Sequence, residues 1–162
     1  MWWQISGKRR YKHLVVVPKK DTLLGEDLLI SQADLDSLIR SKAAMFTILE
    51  TITSTVGVSL AEIENFYVAG TFGSFIKPKS AISIGMIPDL PLESYIPLGN
   101  SSLGGASLVL ISPESVGKID EIRNRITYME LNVNQDFMNR FSAAKFLPHT
   151  DPALFPTVKV NS

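Results

Sequence analysis

Residues 65–75 place a run of aromatic and β-branched side chains directly before two glycines spaced Gly-x-x-Gly. Such side chains favour a buried strand, and the glycines let the backbone turn sharply or let a ligand approach closely. The pattern returns at residues 94–106, where a second short apolar run ends in Gly99 and a row of small residues that opens a helix. Two units of strand, glycine turn and helix predict an α/β sheet whose loops share one edge.

Composition excludes several classes of protein. The chain has 162 residues, 45% of them hydrophobic, which suffices for one domain with a single core. Its sixteen basic and sixteen acidic side chains cancel, so no overall field favours nucleic acid. There is no cysteine, and His13 and His149 lie far apart, so we expect no disulfide, no thiol catalysis and no metal site within this chain. No apolar run reaches the roughly 18 residues that span a bilayer and no signal-peptide core precedes the first charges, so we expect a cytoplasmic protein without a membrane partner.

Hydrophobic periodicity and helix-capping residues predict the remaining elements. A capping pair, Ser31 with Asp34, starts a long, half-buried helix over residues 31–56. Further patterns predict a strand at 65–69, a short helix at 77–85, a strand at 94–98, an amphipathic helix from 112, a strand at 127–131 and a final helix at 134–144 capped by Asn132 or Asn134. The proline-rich residues 146–152 are expected to be irregular.

Two groups of basic residues are candidates for phosphate contacts. Residues 7–20 carry six lysines and arginines around the strand-like run 14–17. They suit either a phosphate-binding patch or the charged flank of an edge strand, and we favour the flank. Arg40 and Lys42 lie on the long helix, where we favour a solvated face over phosphate contact. Residues 1–10 fit no periodic pattern. They are interpreted as a disordered amino-terminal segment, a cloning remnant or the truncated end of a longer protein.

The two glycine turns are the candidate ligand site. Unpaired amides at a helix start favour an anion, and glycine lets a phosphate or a ribose approach without an intervening Cβ. The candidate binding residues are Gly70, Thr71, Phe72 and Gly73 in the first turn, and Gly99, Asn100, Ser101, Ser102 and Gly104 in the second. Phe72 and Phe75 either cover an adenine or belong to the core. Tight turns and helix-on-strand packing explain the same glycines equally well, and neither turn matches the Rossmann or phosphate-loop fingerprints.

Candidate catalytic groups are few, and we assign none. Asp89 and Glu93 can serve as a base or hold Mg²⁺, but an aspartate beside proline more often forms a turn, and we favour that reading. His149 with Asp151 can form a polarised pair, although no nucleophile accompanies it. We favour a histidine that anchors the carboxy-terminal tail.

Five blocks of sequence, in this order, resemble the carboxy-terminal part of the reductive activators of corrinoid proteins. They are residues 29–44, 67–75, 84–93, 99–106 and 146–151. That family belongs to the superfamily of acetate and sugar kinases, heat-shock chaperones and actin, whose ribonuclease-H-like fold has two lobes around ATP. The resemblance implies a partial actin-like ATPase lobe of α/β class, with a mixed sheet flanked by helices. It also implies a division into an amino-terminal lead with an edge strand, residues 1–27, and the carboxy-terminal lobe, residues 28–162.

Members of this family use ATP to drive one electron from an iron–sulfur cluster to a corrinoid protein, returning Co(II) to Co(I) for methyl transfer. The resemblance therefore implies ATP with Mg²⁺ as cofactor, near residues 69–73, which resemble the superfamily's adenosine motif. Relatives usually have a glycine where Thr71 stands, and a β-branched side chain narrows the approach. The phosphate motifs and the cysteines of the 2Fe-2S ferredoxin domain are missing here. The expected partners are a corrinoid protein and the remaining lobe of the activator, with self-association as a further possibility.

Three hypotheses follow from the resemblance. The first is the carboxy-terminal nucleotide-binding lobe of an ATP-dependent corrinoid activator, which alone neither transfers electrons nor hydrolyses ATP. The alternative is a non-enzymatic protein-interaction module of the same fold that has lost ATP binding, suggested by Thr71 and the missing phosphate motifs. The third is a relative of sugar or acetate kinases, which requires a catalytic aspartate in the missing lobe.

Overall fold

A computed structural model describes residues 13–70, 73, 75–131 and 134–159. Within these residues β1 (His13–Val17) pairs antiparallel with β2 (Leu28–Ser31). β3 (Phe66–Ala69) pairs parallel with β4 (Tyr95–Gly99). In the described part of the chain hydrogen bonds join each strand to one partner only, so the expected single mixed sheet is replaced by two two-stranded sheets.

The long helix α1 (Gln32–Thr55) forms where helical spacing predicts it. Its capping box is present: the Asp34 amide donates to Ser31 Oγ at 3.2 Å, and the Ser31 amide donates to the Asp34 carboxylate at 3.0 Å. The Ser31 hydroxyl, which donates to the Asp34 carboxylate at 2.7 Å, and the Ser31 amide lower the pKa of the Asp34 carboxyl. Gly57, at φ +73°, takes the left-handed conformation that ends many helices.

Shorter α-helices follow along the described chain. They are α2 (Pro78–Ser83), α3 (Ser101–Ile111), α4 (Ser115–Arg125) and α5 (Gln135–Ala143). Asn134 caps α5 by accepting a hydrogen bond from the Phe137 amide at 2.9 Å, while Asn132, the other candidate, lies outside the described residues. α5 packs against α1.

The predicted strand at 127–131 is wrong, and β2 was not predicted. Residues 127–130 have no regular structure, because an alternating segment becomes a strand only beside an edge that supplies hydrogen bonds. β2 has only four residues and runs directly into the cap of α1, so its signal merges with that of the helix.

The core lies between α1, α2, the loop before β4 and the carboxy-terminal tail. The rings of Phe46 on α1 and Phe155 in the tail lie 5.1 Å apart between centroids. The other buried apolar side chains are those of Ala43, Ala81, Ile82, Ile87, Leu90, Tyr95 and Ala144. Tyr95 donates its hydroxyl proton to the Pro88 carbonyl, and burial raises its pKa to about 12, so this donor stays protonated.

Residues 146–150, here the Pro148 loop, are irregular as expected and lie against α1 and the end of α2. The Lys42 side chain is fully buried, and its Nζ donates to the carbonyl oxygens of Pro148, at 2.6 Å, and Phe146. The predicted solvated face is therefore wrong for Lys42, because the loop covers that side of α1, and correct for exposed Arg40. Gly85 follows α2 at φ +72°, and the Pro148 carbonyl fills the space where a side chain would begin.

Candidate functional site

Parallel pairing of β3 with β4 brings the two glycine turns to the same end of one sheet. The register pairs Ala69 with Gly99, and the Gly70 amide donates to the Gly99 carbonyl oxygen at 2.6 Å. Parallel strands run in one direction, so both turns leave from the carboxyl edge, where α/β proteins commonly bind ligands. We call the segments 70–73 and 99–104 the glycine edge.

Glycines of the glycine edge have two different roles. Gly70 at φ +90° and Gly99 at φ +64° take conformations that other residues rarely adopt. Nothing lies within 4 Å of the position where a Cβ would stand on either, and the same is true of Gly104. At Gly73 a Cβ would lie 2.5 Å from Val68 Cγ1, so this glycine serves packing against β3. Gly70, Gly99 and Gly104 therefore leave room for a ligand.

The first turn of α3 forms the second half of the glycine edge. Asn100 caps the helix: its Oδ1 accepts from the Leu103 amide at 3.0 Å, so this side-chain oxygen is engaged within the protein. Ser101 and Ser102 are exposed on the same turn. The helix start thus offers hydroxyl groups and a positive dipole end to an anion. Thr71 and Phe72 lie outside the described residues.

An apolar cavity of about 440 Å³ adjoins the first glycine turn. Its lining includes Gly73 from that turn, and Phe66, Val68, Ala69, Tyr95 and Pro97 from the strands. A carbon-lined cavity beside a glycine turn suits a flat ring better than a charged group. Phe75 does not line it and is 79% exposed, so the core alternative for Phe75 is wrong.

His149, a candidate for catalysis or anchoring, serves as an anchor. Its ring packs on Phe46 at 5.4 Å and on Phe155 at 6.3 Å between centroids. Its Nδ1 accepts from the Asp151 amide at 3.0 Å. Burial lowers the pKa of His149, which favours the neutral ring that these aromatic neighbours accept.

Asp89 ties the tail to the loop before β4. Its carboxylate accepts from the Thr157 amide at 2.8 Å and from the Thr157 hydroxyl at 2.7 Å. Glu93, the other candidate, is exposed. No group of three or more histidine, aspartate or glutamate side chains suited to a metal occurs among the described residues.

We expect Asp89→Ala to lower the free energy of unfolding by about 2 kcal/mol, since two charge-assisted hydrogen bonds are lost. Glu93→Ala is the matched control, in the same loop and exposed, with an expected change below about 0.5 kcal/mol. Urea unfolding followed by circular dichroism measures both. Equal effects of the two substitutions would refute the tie to Thr157.

Sequence reasoning missed an ion pair between distant segments. Arg140 on α5 lies 2.6 Å from the Glu50 carboxylate on α1, and it also donates to Ser54 Oγ at 3.2 Å. The pair lines a second cavity, of about 380 Å³, together with Asp89. The partners are far apart in sequence, so no local spacing signals the contact.

Among the described residues no helix is both long and apolar enough to span a membrane.

Comparison with known proteins agrees with the resemblance. The model of the C-terminal domain of RACo, the ASKHA domain, matches residues 3–159. The solved reductive activator for corrinoid,iron-sulfur protein superposes with a TM-score of 0.81 and 36% identity over 97% of this chain. The corrinoid activation enzyme RamQ of Eubacterium limosum is 27% identical over 136 residues, which is 84% of this chain.

This chain spans about a quarter of the length of these relatives, 25% of the solved activator and 23% of RamQ. The helices and small sheets described above are of mixed α/β class, and the two matches support an actin-like fold. Since the domain model covers almost the whole sequence, the chain belongs to the family of the C-terminal ASKHA domain of RACo.

Proposed function

We propose that the chain is the C-terminal nucleotide-binding lobe of an ATP-dependent reductive activator of corrinoid proteins. The observation that carries the proposal is the glycine edge, where Gly70 and Gly99 lie side by side at the carboxyl end of a parallel strand pair with nothing within 4 Å of either Cβ position. The membership of the chain in the RACo family supports the same role. In the complete activator, ATP would drive one electron onto the cobalt of a corrinoid protein, returning Co(II) to Co(I).

The residues at the glycine edge fit a nucleotide. The apolar cavity beside Ala69 and Gly73 would hold the base, and the open space at Gly70 and Gly99 would admit the ribose. The start of α3, with Ser101, Ser102 and Gly104, would face the phosphates, and Thr71 and Phe72 would complete the first turn. When bound, ATP supplies the phosphoryl-transfer energy for the electron step; the residues described here bind and orient it.

Other parts of the reaction would lie outside this chain. The 2Fe-2S cluster needs thiolate ligands, and the sequence contains no cysteine. The described residues contain no cluster of three or more acidic or histidine side chains that could hold a metal, so Mg²⁺ would be held mainly by the phosphates and by the remaining lobe of the activator. The proposed partners are thus a corrinoid protein and that remaining lobe, with self-association of this chain as a further possibility.

A protein-interaction module that has lost ATP binding is the second candidate. Thr71 stands where relatives usually carry glycine, and the superfamily's phosphate motifs are missing from this sequence. Such a module would keep the fold and the corrinoid-protein contact without a nucleotide.

Titration of the chain with ATP, followed by NMR of backbone amides, tests the proposal. We expect shifts centred on Gly70, Gly99 and Gly104, and an affinity about tenfold lower for Gly104→Val, whose side chain would enter the open space. Gly117→Val is the matched control, because Gly117 also lies on a helix with nothing within 4 Å of its Cβ position. Shifts remote from the glycine edge would refute the placement. No shift at all, with capture of a corrinoid protein intact, would favour the interaction module.

A further inference from the structure

α3 and α4 are exposed on the side that a helix normally buries. Neither helix has a buried residue within the described part of the chain. α3 carries no charged side chain over its whole length. Leu110 and Ile111 at its end are nevertheless 83% and 80% exposed to solvent. On α4, Ile119 and Ile122 are more than half exposed and lie on one face. We call these two helices the α3–α4 surface.

Two short helices with exposed apolar faces are expected to need a partner for stability. α3 and α4 have 11 residues each, and isolated helices shorter than about 12–15 residues are marginal in water. Helices of this length are normally stabilised by burying an apolar face, and contacts between α3 and α4 leave their leucines and isoleucines open. Several large apolar side chains left exposed on two neighbouring helices are typical of an interaction site.

The strand pair β3–β4, which leads into α3, gives a second, independent indication that a covering layer belongs here. Parallel sheets are normally covered on both faces. The core covers one face of β3–β4 through Phe66, Val68 and Tyr95, whereas Tyr67 and Leu98 are more than half exposed. A covering layer is therefore expected next to the α3–α4 surface.

We propose that the α3–α4 surface docks permanently onto the part of the activator polypeptide that lies outside the region matched by this chain. This inference rests on the proposed function, since it treats the chain as one lobe of an activator. Of this chain, 97% superposes on a solved activator, while three quarters of that activator lies beyond the matched quarter. That remainder is large enough to cover both helices.

The chemistry of α3 favours this occupant over a transient partner. Without charged residues, α3 offers no electrostatic steering, and strongly apolar interfaces are typical of obligate contacts. The charges of α4 are partly paired with one another, as Arg125 with Glu121 at 2.8 Å and Arg123 with Asp120 at 3.2 Å. They would form the polar rim of an apolar interface.

The first experiment mixes this chain of 162 residues with a reductive activator for corrinoid,iron-sulfur protein from which the matching quarter has been deleted. Size-exclusion chromatography with light scattering should show a one-to-one complex. Leu110→Glu and Ile111→Glu should each weaken the complex at least about tenfold, because a charge would enter an apolar interface. Leu23→Glu is the control, since Leu23 is fully exposed in the connection between β1 and β2. Circular dichroism should show that all three variants stay folded.

A second measurement does not depend on the deleted activator being folded. In the chain alone, amides of α3 and α4 should exchange with solvent far faster than those of the half-buried α1. Protection of α3 equal to that of α1 in the monomer would overturn the inference.

The remaining outcomes also decide the question. Absence of a complex with a deleted activator that circular dichroism shows to be folded would overturn the inference, as would a complex that resists both glutamate substitutions. A dimer of the chain alone that Leu110→Glu dissociates would assign the surface to a second copy instead. The ATP titration at Gly70, Gly99 and Gly104 uses the chain alone, so its result does not require the complex to form. Failure of docking with an intact titration would therefore refute only the docking surface.

Discussion

Replacing Gly85 with alanine is expected to lower the free energy of unfolding by about 4 kcal/mol. A Cβ at this position would lie 2.0 Å from the Pro148 carbonyl oxygen and 2.7 Å from its carbonyl carbon. These are backbone atoms, which cannot rotate away as the end of a side chain can. The Pro148 loop would have to lift from the end of α2, and φ +72° adds further strain for alanine.

Gly57→Ala is the matched control for this prediction. Gly57 has nearly the same φ, +73°, but nothing within 4 Å of its Cβ position. Its substitution should cost only about 1 kcal/mol, the conformational part alone. Urea unfolding measures the stability of both variants. The positive φ costs both of them stability, whereas the steric clash with Pro148 affects only Gly85→Ala, so the difference between the two variants gives the cost of the clash. A Gly85→Ala variant no less stable than Gly57→Ala would show that the Pro148 loop does not press on this position.

Lys42→Met is expected to lower the free energy of unfolding by about 2 kcal/mol at pH 7. Methionine fills a similar volume but cannot donate, so the carbonyls of Pro148 and Phe146 lose their donor. Arg40→Met on the same helix is the control, because Arg40 is exposed and its loss should change stability by less than about 0.5 kcal/mol. Similar losses for both variants would show that the buried ammonium group does not hold the loop.

The same substitution should alter the pH dependence of stability. Burial lowers the pKa of Lys42 from 10.5 to about 8. Between these two values the folded chain has released a proton that the unfolded chain still binds, so the Lys42 contribution to stability rises with pH. The neutral amine keeps two N–H groups for its two carbonyl partners. The difference in stability between the parent chain and Lys42→Met should therefore grow from pH 8 to pH 10.

Tyr95, whose pKa is raised to about 12, opposes this trend above pH 10, where the unfolded chain loses its phenolic proton first. Because both proteins carry Tyr95, its effect cancels in the difference. A difference that stays constant between pH 8 and pH 10 would contradict the assignment of the lowered pKa to Lys42.

Capping and turn patterns predicted much of the fold because the interactions behind them act between residues close in sequence. The capping box of Ser31 and Asp34, the stop at Gly57 and the cap at Asn134 all act within a few residues, and all form. The strands before the glycine turns were also predicted, since aromatic and β-branched runs ending in glycine have few other structures available. The resemblance added the family, which the comparisons confirm.

The missed features depend on contacts between distant segments. Lys42 was expected on a solvated face, but the loop that buries it lies over 100 residues later in the sequence. Residues 127–131 alternate like a strand and find no edge to join in the described structure, and the ion pair of Glu50 with Arg140 has no sequence signature. At the candidate site the adjacency of Gly70 and Gly99 followed from strand direction, whereas nucleotide binding there stays a prediction.

α3 belongs to both the glycine edge and the α3–α4 surface. Its first turn belongs to the glycine edge, and its last turn carries Leu110 and Ile111. A helix of 11 residues is about 16 Å long, so a tilt of about 10° at its first turn would displace its far end by about 3 Å. If a nucleotide bound at Gly99 tilted the helix in this way, the shift would be larger at Ile111 than at the site, and a protein docked there would respond to the bound nucleotide.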